Sequence, residues 1–115
     1  ALALSLSSNV NKISSEQRKK LHLAAVFACN FSNYMQIIAE ELCEENEVSF
    51  DMLKPLIKET FEKGSHLLPS ENQTGPARRG DGKIMQEHLQ LLSNNKEVKE
   101  LYSLISNQIN KKYNS

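Results

Sequence analysis

Ser14-Ser15-Glu16-Gln17-Arg18-Lys19-Lys20-Leu21-His22-Leu23-Ala24-Ala25-Val26-Phe27-Ala28-Cys29-Asn30-Phe31 opens the segment on which the fold turns. Ser14 and Gln17 form a capping-box pair, in which a hydroxyl and a side-chain amide satisfy two backbone N–H groups at a helix start. Neither Gly nor Pro follows until Pro55, so the spacing predicts one long helix over about 15–45. Its middle is apolar on nearly every side. Val26, Phe27 and Phe31 alternate there with Ala24, Ala25 and Ala28, which let neighbouring helices approach closely. This helix is therefore expected to be buried at the centre of a bundle. His22, Asn30, Ser32, Asn33 and Gln36 interrupt its apolar run, which argues against a membrane span.

Working outward, Ser49 can cap a second helix to about residue 68, with Leu53, Leu56, Ile57 and Phe61 at helical spacing. Pro55 lies inside that span and is expected to bend or loosen its opening turn. Residues 69–82 carry two prolines and three glycines and have no periodicity, which marks a connecting loop. Ile84, Met85, His88 and Leu92 predict a third helix over about 81–92. Asn94 and Glu97 form a second capping pair, opening a fourth helix through Val98, Leu101, Tyr102, Ile105 and Ile109. The tail from Lys111 is expected to fray. Residues 1–7 and 9–13 read as the remains of a helix and a strand, so the chain is expected to begin inside a preceding domain.

The 115 residues suit one all-α domain, a helical bundle around the long helix, with 39% hydrophobic and 24% charged residues. Fourteen basic residues balance fourteen acidic ones, so no strong field draws nucleic acid or an anionic membrane. Cys29 and Cys43 share the long helix, where fourteen steps of ~1.5 Å hold them about 21 Å apart, beyond disulfide reach. Two free thiols without a secretion signal or metal-type spacing point to the cytoplasm.

Two places offer chemistry. On an ideal α-helix His22, Val26, Cys29 and Asn33 fall on one stripe, with Asn30 at its edge. Either neighbouring backbone satisfies these polar groups inside a core, or the stripe faces a cleft where His22 transfers a proton and the amides orient a ligand. The second place is Gln73-Thr74-Gly75-Pro76-Ala77-Arg78-Arg79-Gly80-Asp81-Gly82. Its two Arg could hold an anion, or the stretch is a solvated turn in which Asp81 caps the third helix. Gly75 and Gly80 have the interval of a phosphate loop without its Lys, and no strand precedes a dinucleotide fingerprint. The group Glu40, Glu41, Glu44, Glu45 and Glu47 reads as a solvated helix end, not a metal site. His66 and His88 read as surface or packing residues.

Residues 15–31 resemble the opening of the C-terminal domain, itself of unknown function, of bacterial Rossmann-like proteins described as NADP oxidoreductases. Thr74-Gly75-Pro76-Ala77-Arg78-Arg79-Gly80-Asp81 is similar to that domain's second signature, Thr-Gly-Pro, two variable residues, then Arg-Gly-Asp. The resemblance implies helical architecture like that of ketopantoate reductase, pyrroline-5-carboxylate reductase and 6-phosphogluconate dehydrogenase. It also implies that residues 1–13 are a remnant of the N-terminal nucleotide-binding domain and 14–115 a dimerisation and substrate domain. NADP would be bound mainly by the missing part. Ketopantoate reductases place a catalytic Lys, an Asn four residues on, and often another Asn four beyond. His22, Val26 and Asn30 stand at the corresponding positions here, so neither substrate nor mechanism carries over directly.

The function expected on this resemblance is that of a helical domain supplying dimer contacts and one wall of a substrate cleft, for hydride transfer to a carbonyl or imine. His22 would donate the proton, with Asn30 beside it as the catalytic amide. Asn33, Thr74, Arg79 and Asp81 would contact substrate or cofactor. The partners expected are a small-molecule substrate and a second copy of the chain, and the alternative is a non-catalytic assembly or ligand-sensing domain.

Overall fold

The computed structural model describes residues 13–114, and every regular element among them is a helix. The all-α expectation holds. The remnant assigned to residues 1–13 lies outside the described residues except at its last position. The chain divides between Phe50 and Asp51 into two compact units.

The first unit is the long helix. Ser14 is extended at φ −72°, ψ 168°. Its Oγ accepts from the Gln17 backbone N–H at 3.1 Å, and its own N–H donates to Gln17 Oε1 at 2.9 Å. The capping box therefore forms as the sequence predicts. Helix α1 runs Ser15–Ala25, and helix α2 Ser32–Glu45. Between them Val26–Phe31 widens into a π-helix, which the sequence reading missed. At the far end Val48 N–H reaches Cys43 O at 2.9 Å and Glu47 N–H reaches Glu44 O at 3.2 Å. This crossed pair is a Schellman closure, and it places Glu47 at φ 56°, where glycine is usual.

The expected burial of this helix is not met in the single chain. None of its residues is buried. Leu23 is 59% exposed and Phe27 63%. The Phe27 and Phe31 rings meet edge-on with centroids 4.9 Å apart.

In the second unit the predicted helix over 49–68 divides. Phe50–Leu53 forms a 3-10 turn, and helix α3 runs Lys54–Gly64. Pro55 is the cause: it lacks an N–H and has φ fixed near the helical value, so it suits a first turn. It opens this helix instead of bending a longer one. The expected loop contains two short pieces, a 3-10 turn at Pro69–Glu71 and a one-turn helix α4 at Pro76–Arg79. Helix α5, Gly82–Leu91, starts on Asp81, whose Oδ1 accepts from Ile84 N–H at 3.3 Å.

The last helix, α6, spans Lys96–Asn114. Its cap is Asn95 and not the expected Asn94, because Val98 N–H donates to Asn95 Oδ1 at 3.2 Å. The tail expected to fray continues as helix through Asn114, held by contacts from Tyr113 and Asn114. Among the described residues, the buried hydrophobic ones are Ala77 on α4, 5% exposed, and Leu92 at the end of α5, 7% exposed.

Candidate functional site

His22, Asn30 and Asn33 lie in the first unit and are all exposed. The π-helix changes their relation. Closing i→i+5 takes roughly one more residue into the turn than i→i+4. The eight positions from His22 to Asn30 then act as about seven, close to two full α-turns. By that count Asn30 falls closer to the line of His22 and Val26 than on an ideal α-helix, and Cys29 and Asn33 fall further from it. The same arithmetic brings in Tyr34, which the sequence reading did not select. The line is chemically mixed: an imidazole, an amide and a phenol beside exposed apolar side chains, on a helix side open to whatever packs or binds there.

Thr74, Arg79 and Asp81 lie in the second unit, where the local structure accounts for much of the signature. Gly75 has φ 100° and precedes Pro76, which begins α4 as its first residue. Gly80, at φ 69°, ends α4 in the left-handed region. There Asp81 N–H bonds Pro76 O at 2.8 Å and Gly80 N–H bonds Ala77 O at 3.3 Å, a second Schellman closure. Asp81 at once caps α5, so the turn-and-cap reading of Asp81 is the one its geometry displays. Its other carboxylate oxygen lies 3.8 Å from Arg79 Nη2. Arg78 takes a different place, with its guanidinium 4.5 Å above the Tyr113 ring. Thr74 is exposed, and its carbonyl accepts from Gln73 Nε2 at 3.0 Å.

Residues 1–109 match a family model, that of Domain of unknown function (DUF2520). The chain belongs to the DUF2520 family. It is also similar to a solved structure from Bacteroides fragilis described as a putative NADP oxidoreductase, at 45% identity and TM-score 0.82. The match covers 86% of the DUF2520 chain and 38% of the Bacteroides fragilis chain. No curated protein matches. The likeness is to a helical domain that forms a minor part of a longer protein.

A further polar arrangement joins α5 and α6 of the DUF2520 chain. His88 Nδ1 and Tyr102 Oη are 2.7 Å apart, with their rings edge-on, so His88 packs between α5 and α6 as expected of a packing residue. Burial pushes the Tyr102 phenol above its ordinary pKa, against a smaller opposing pull from a hydrogen bond with Ser106. Beside this pair a groove of about 140 Å³ is lined by residues of α5, including Met85 and Leu89, and of α6, including Tyr102, Ser103, Ser106 and Asn107. None of the sequence-predicted site residues lines it. Among the described residues, no helix is long and apolar enough to cross a membrane.

Proposed function

We propose that this chain is the C-terminal helical domain of an NADP-dependent oxidoreductase, providing dimer contacts and one wall of the cleft in which a carbonyl or imine is reduced. The observation that carries this reading is the 45% identity, over 86% of the chain, to the Bacteroides fragilis protein described as such an oxidoreductase. Residues 1–13 are proposed as the end of the nucleotide-binding domain, and 14–115 as the dimerisation and substrate domain. The cytoplasm is the proposed compartment, in keeping with two free cysteines, one of them exposed.

The described residues are a poor cradle for a dinucleotide, because Gly75 and Gly80 both serve turns around a one-turn helix. NADPH is therefore assigned mainly to the domain outside this chain. When bound, it supplies the hydride for the substrate carbon. The matching proton goes from the His22 ring to the substrate oxygen or nitrogen. Asn30, about two turns further along the helix, hydrogen-bonds the same group, and Asn33 orients the substrate from the flank. Arg79, 59% exposed at its side chain, meets an anionic group of substrate or cofactor, with Asp81 and Thr74 alongside.

A second copy is the proposed cover for the long helix, since Leu23, Phe27, Phe31 and Tyr34 are all exposed on it. That exposure also favours the second reading, a domain for assembly or ligand sensing without catalysis. The separating experiment is His22→Ala in the full-length protein. Under the reductase reading, NADPH-dependent turnover falls roughly 10²–10⁴-fold while the circular dichroism spectrum is kept. Unchanged turnover would remove His22 from the chemistry, and a wild-type protein that binds ligands but reduces none would favour the second reading.

A further inference from the structure

Arg78 and Arg79 are adjacent on a one-turn helix, yet one lies against α6 and the other faces Asp81. The last turn of α6 makes this difference. Tyr113 Oη donates to Ser70 O at 2.8 Å, fastening the start of the loop, while its ring carries the Arg78 guanidinium. Asn114 Nδ2 donates to Ala77 O at 2.9 Å and Arg78 O at 3.2 Å, and also contacts Asn110 Oδ1 at 2.9 Å. One amide thus divides its two hydrogens among three acceptors.

The physical need is clear from the length of α4. The last carbonyls of any helix lack intrahelical donors, and a four-residue helix has almost nothing else. Its Schellman closure satisfies Pro76 O and Ala77 O from within the loop. For Arg78 O, and for a second bond to Ala77 O, the donor comes from Asn114. Successive residues on a helical turn diverge by ~100°, so holding Arg78 on Tyr113 turns Arg79 elsewhere.

We infer that Tyr113 and Asn114 are positioning residues for the Arg79 anion contact: the end of α6 holds Arg78 and the α4 carbonyls, so that Arg79 is the arginine presented to ligand. The inference rests on the anion role proposed for Arg79 above. The chemistry recognised is a phosphate or carboxylate, supplied either by the cofactor or by a separate anionic group.

The test is a double-mutant cycle in the full-length protein, read by calorimetry in two arms. One arm titrates NADPH, and the other titrates inorganic phosphate into NADPH-saturated protein. Arg79→Ala is expected to weaken one arm by on the order of tenfold or more, and that arm names the source of the anion. Asn114→Asp removes the amide donors at nearly constant volume and is expected to weaken the same arm several-fold. In the Arg79→Ala background it should cost nothing further. Tyr113→Phe keeps the ring under Arg78 and drops the bond to Ser70, so it should show a smaller loss with the same dependence on Arg79. If Asn114→Asp does not fold, Tyr113→Phe decides the matter.

Equal losses with and without Arg79 would mean general support of the fold and would overturn the inference. An Arg79→Ala loss that neither α6 variant reproduces would overturn it too, leaving the anion reading intact. If Arg79→Ala changes neither arm, the anion reading itself fails and the inference falls with it.

Discussion

The helix over 15–45 and the loop between α3 and α5 reverse what their sequences lead one to expect. The helix holds the most apolar run of the chain, yet Phe27 is 63% exposed and no residue of the helix is buried. The loop, with its prolines and glycines, holds Ala77, only 5% exposed. Apolar composition says that a surface needs a partner. It does not say that the partner is in the same chain. A small residue on a one-turn helix can be well covered, because α4 lies against α6 and is tied to it by side-chain donors to its carbonyls.

Charging the exposed face of the helix should have the largest effect. If a second copy covers it, Phe27→Asp with Phe31→Asp should abolish association, with each aromatic contributing on the order of 2–4 kcal/mol to an interface hot spot. Sedimentation velocity would show the protein shifting from dimer to monomer. An unchanged sedimentation coefficient would mean that the face is not the interface.

On the loop side, Ala77→Leu should destabilise the second unit by about 1–3 kcal/mol, because a buried methyl site has no room for a branched side chain. Denaturant midpoints would measure it, and a loss below the error of that measurement would deny α4 its packed status. The two Schellman ends sharpen the comparison at one residue each. Gly80→Ala should cost about 1 kcal/mol or more through its left-handed backbone, since a Cβ there would meet Asn114 at an ordinary 3.9 Å. Glu47→Gly should go the other way and stabilise by about 1 kcal/mol, because Glu47 already occupies that region at φ 56°. Thermal unfolding with opposite signs for the two variants is the expected result.

The smallest effect concerns pH. The Tyr102 phenol is raised by burial, so folding favours its protonated form. Its contribution to stability is complete below the ordinary value near 10 and is lost as pH rises through the folded value. Tyr102→Phe should flatten the fall in melting temperature across that alkaline range. An identical pH profile in the variant would mean that the phenol is not linked to folding.

Legibility in the sequence followed the range of the interactions. Ser14 and Gln17 are three residues apart, and their capping box could be read directly. Asp81 as the cap of α5 was equally local. Asn94 and Asn95 carry the same capping group side by side; Glu97, three residues on, pointed to Asn94, and the structure selects Asn95. Pro55 was seen as a disturbance, but whether it bends one helix or opens another depended on the tightened turn before it. The candidate residues rest on chemistry and resemblance, and the stripe through His22 rests on a uniform α-helical period that the π-helix at Val26–Phe31 interrupts.

The all-α character, the start of the long helix and the paired turn residues of the signature were legible in the sequence, and the family was legible as a resemblance. The three structural features are set within a few residues by backbone preferences, capping groups and apolar spacing. Only the tertiary structure decided that Asn114 serves carbonyls 37 and 36 positions away, that Tyr113 reaches across 43 to Ser70, and that Arg78 and Arg79 therefore differ. An amide or a phenol has no preferred partner until folding brings an acceptor within about 3 Å of it, and no local pattern records which one arrives.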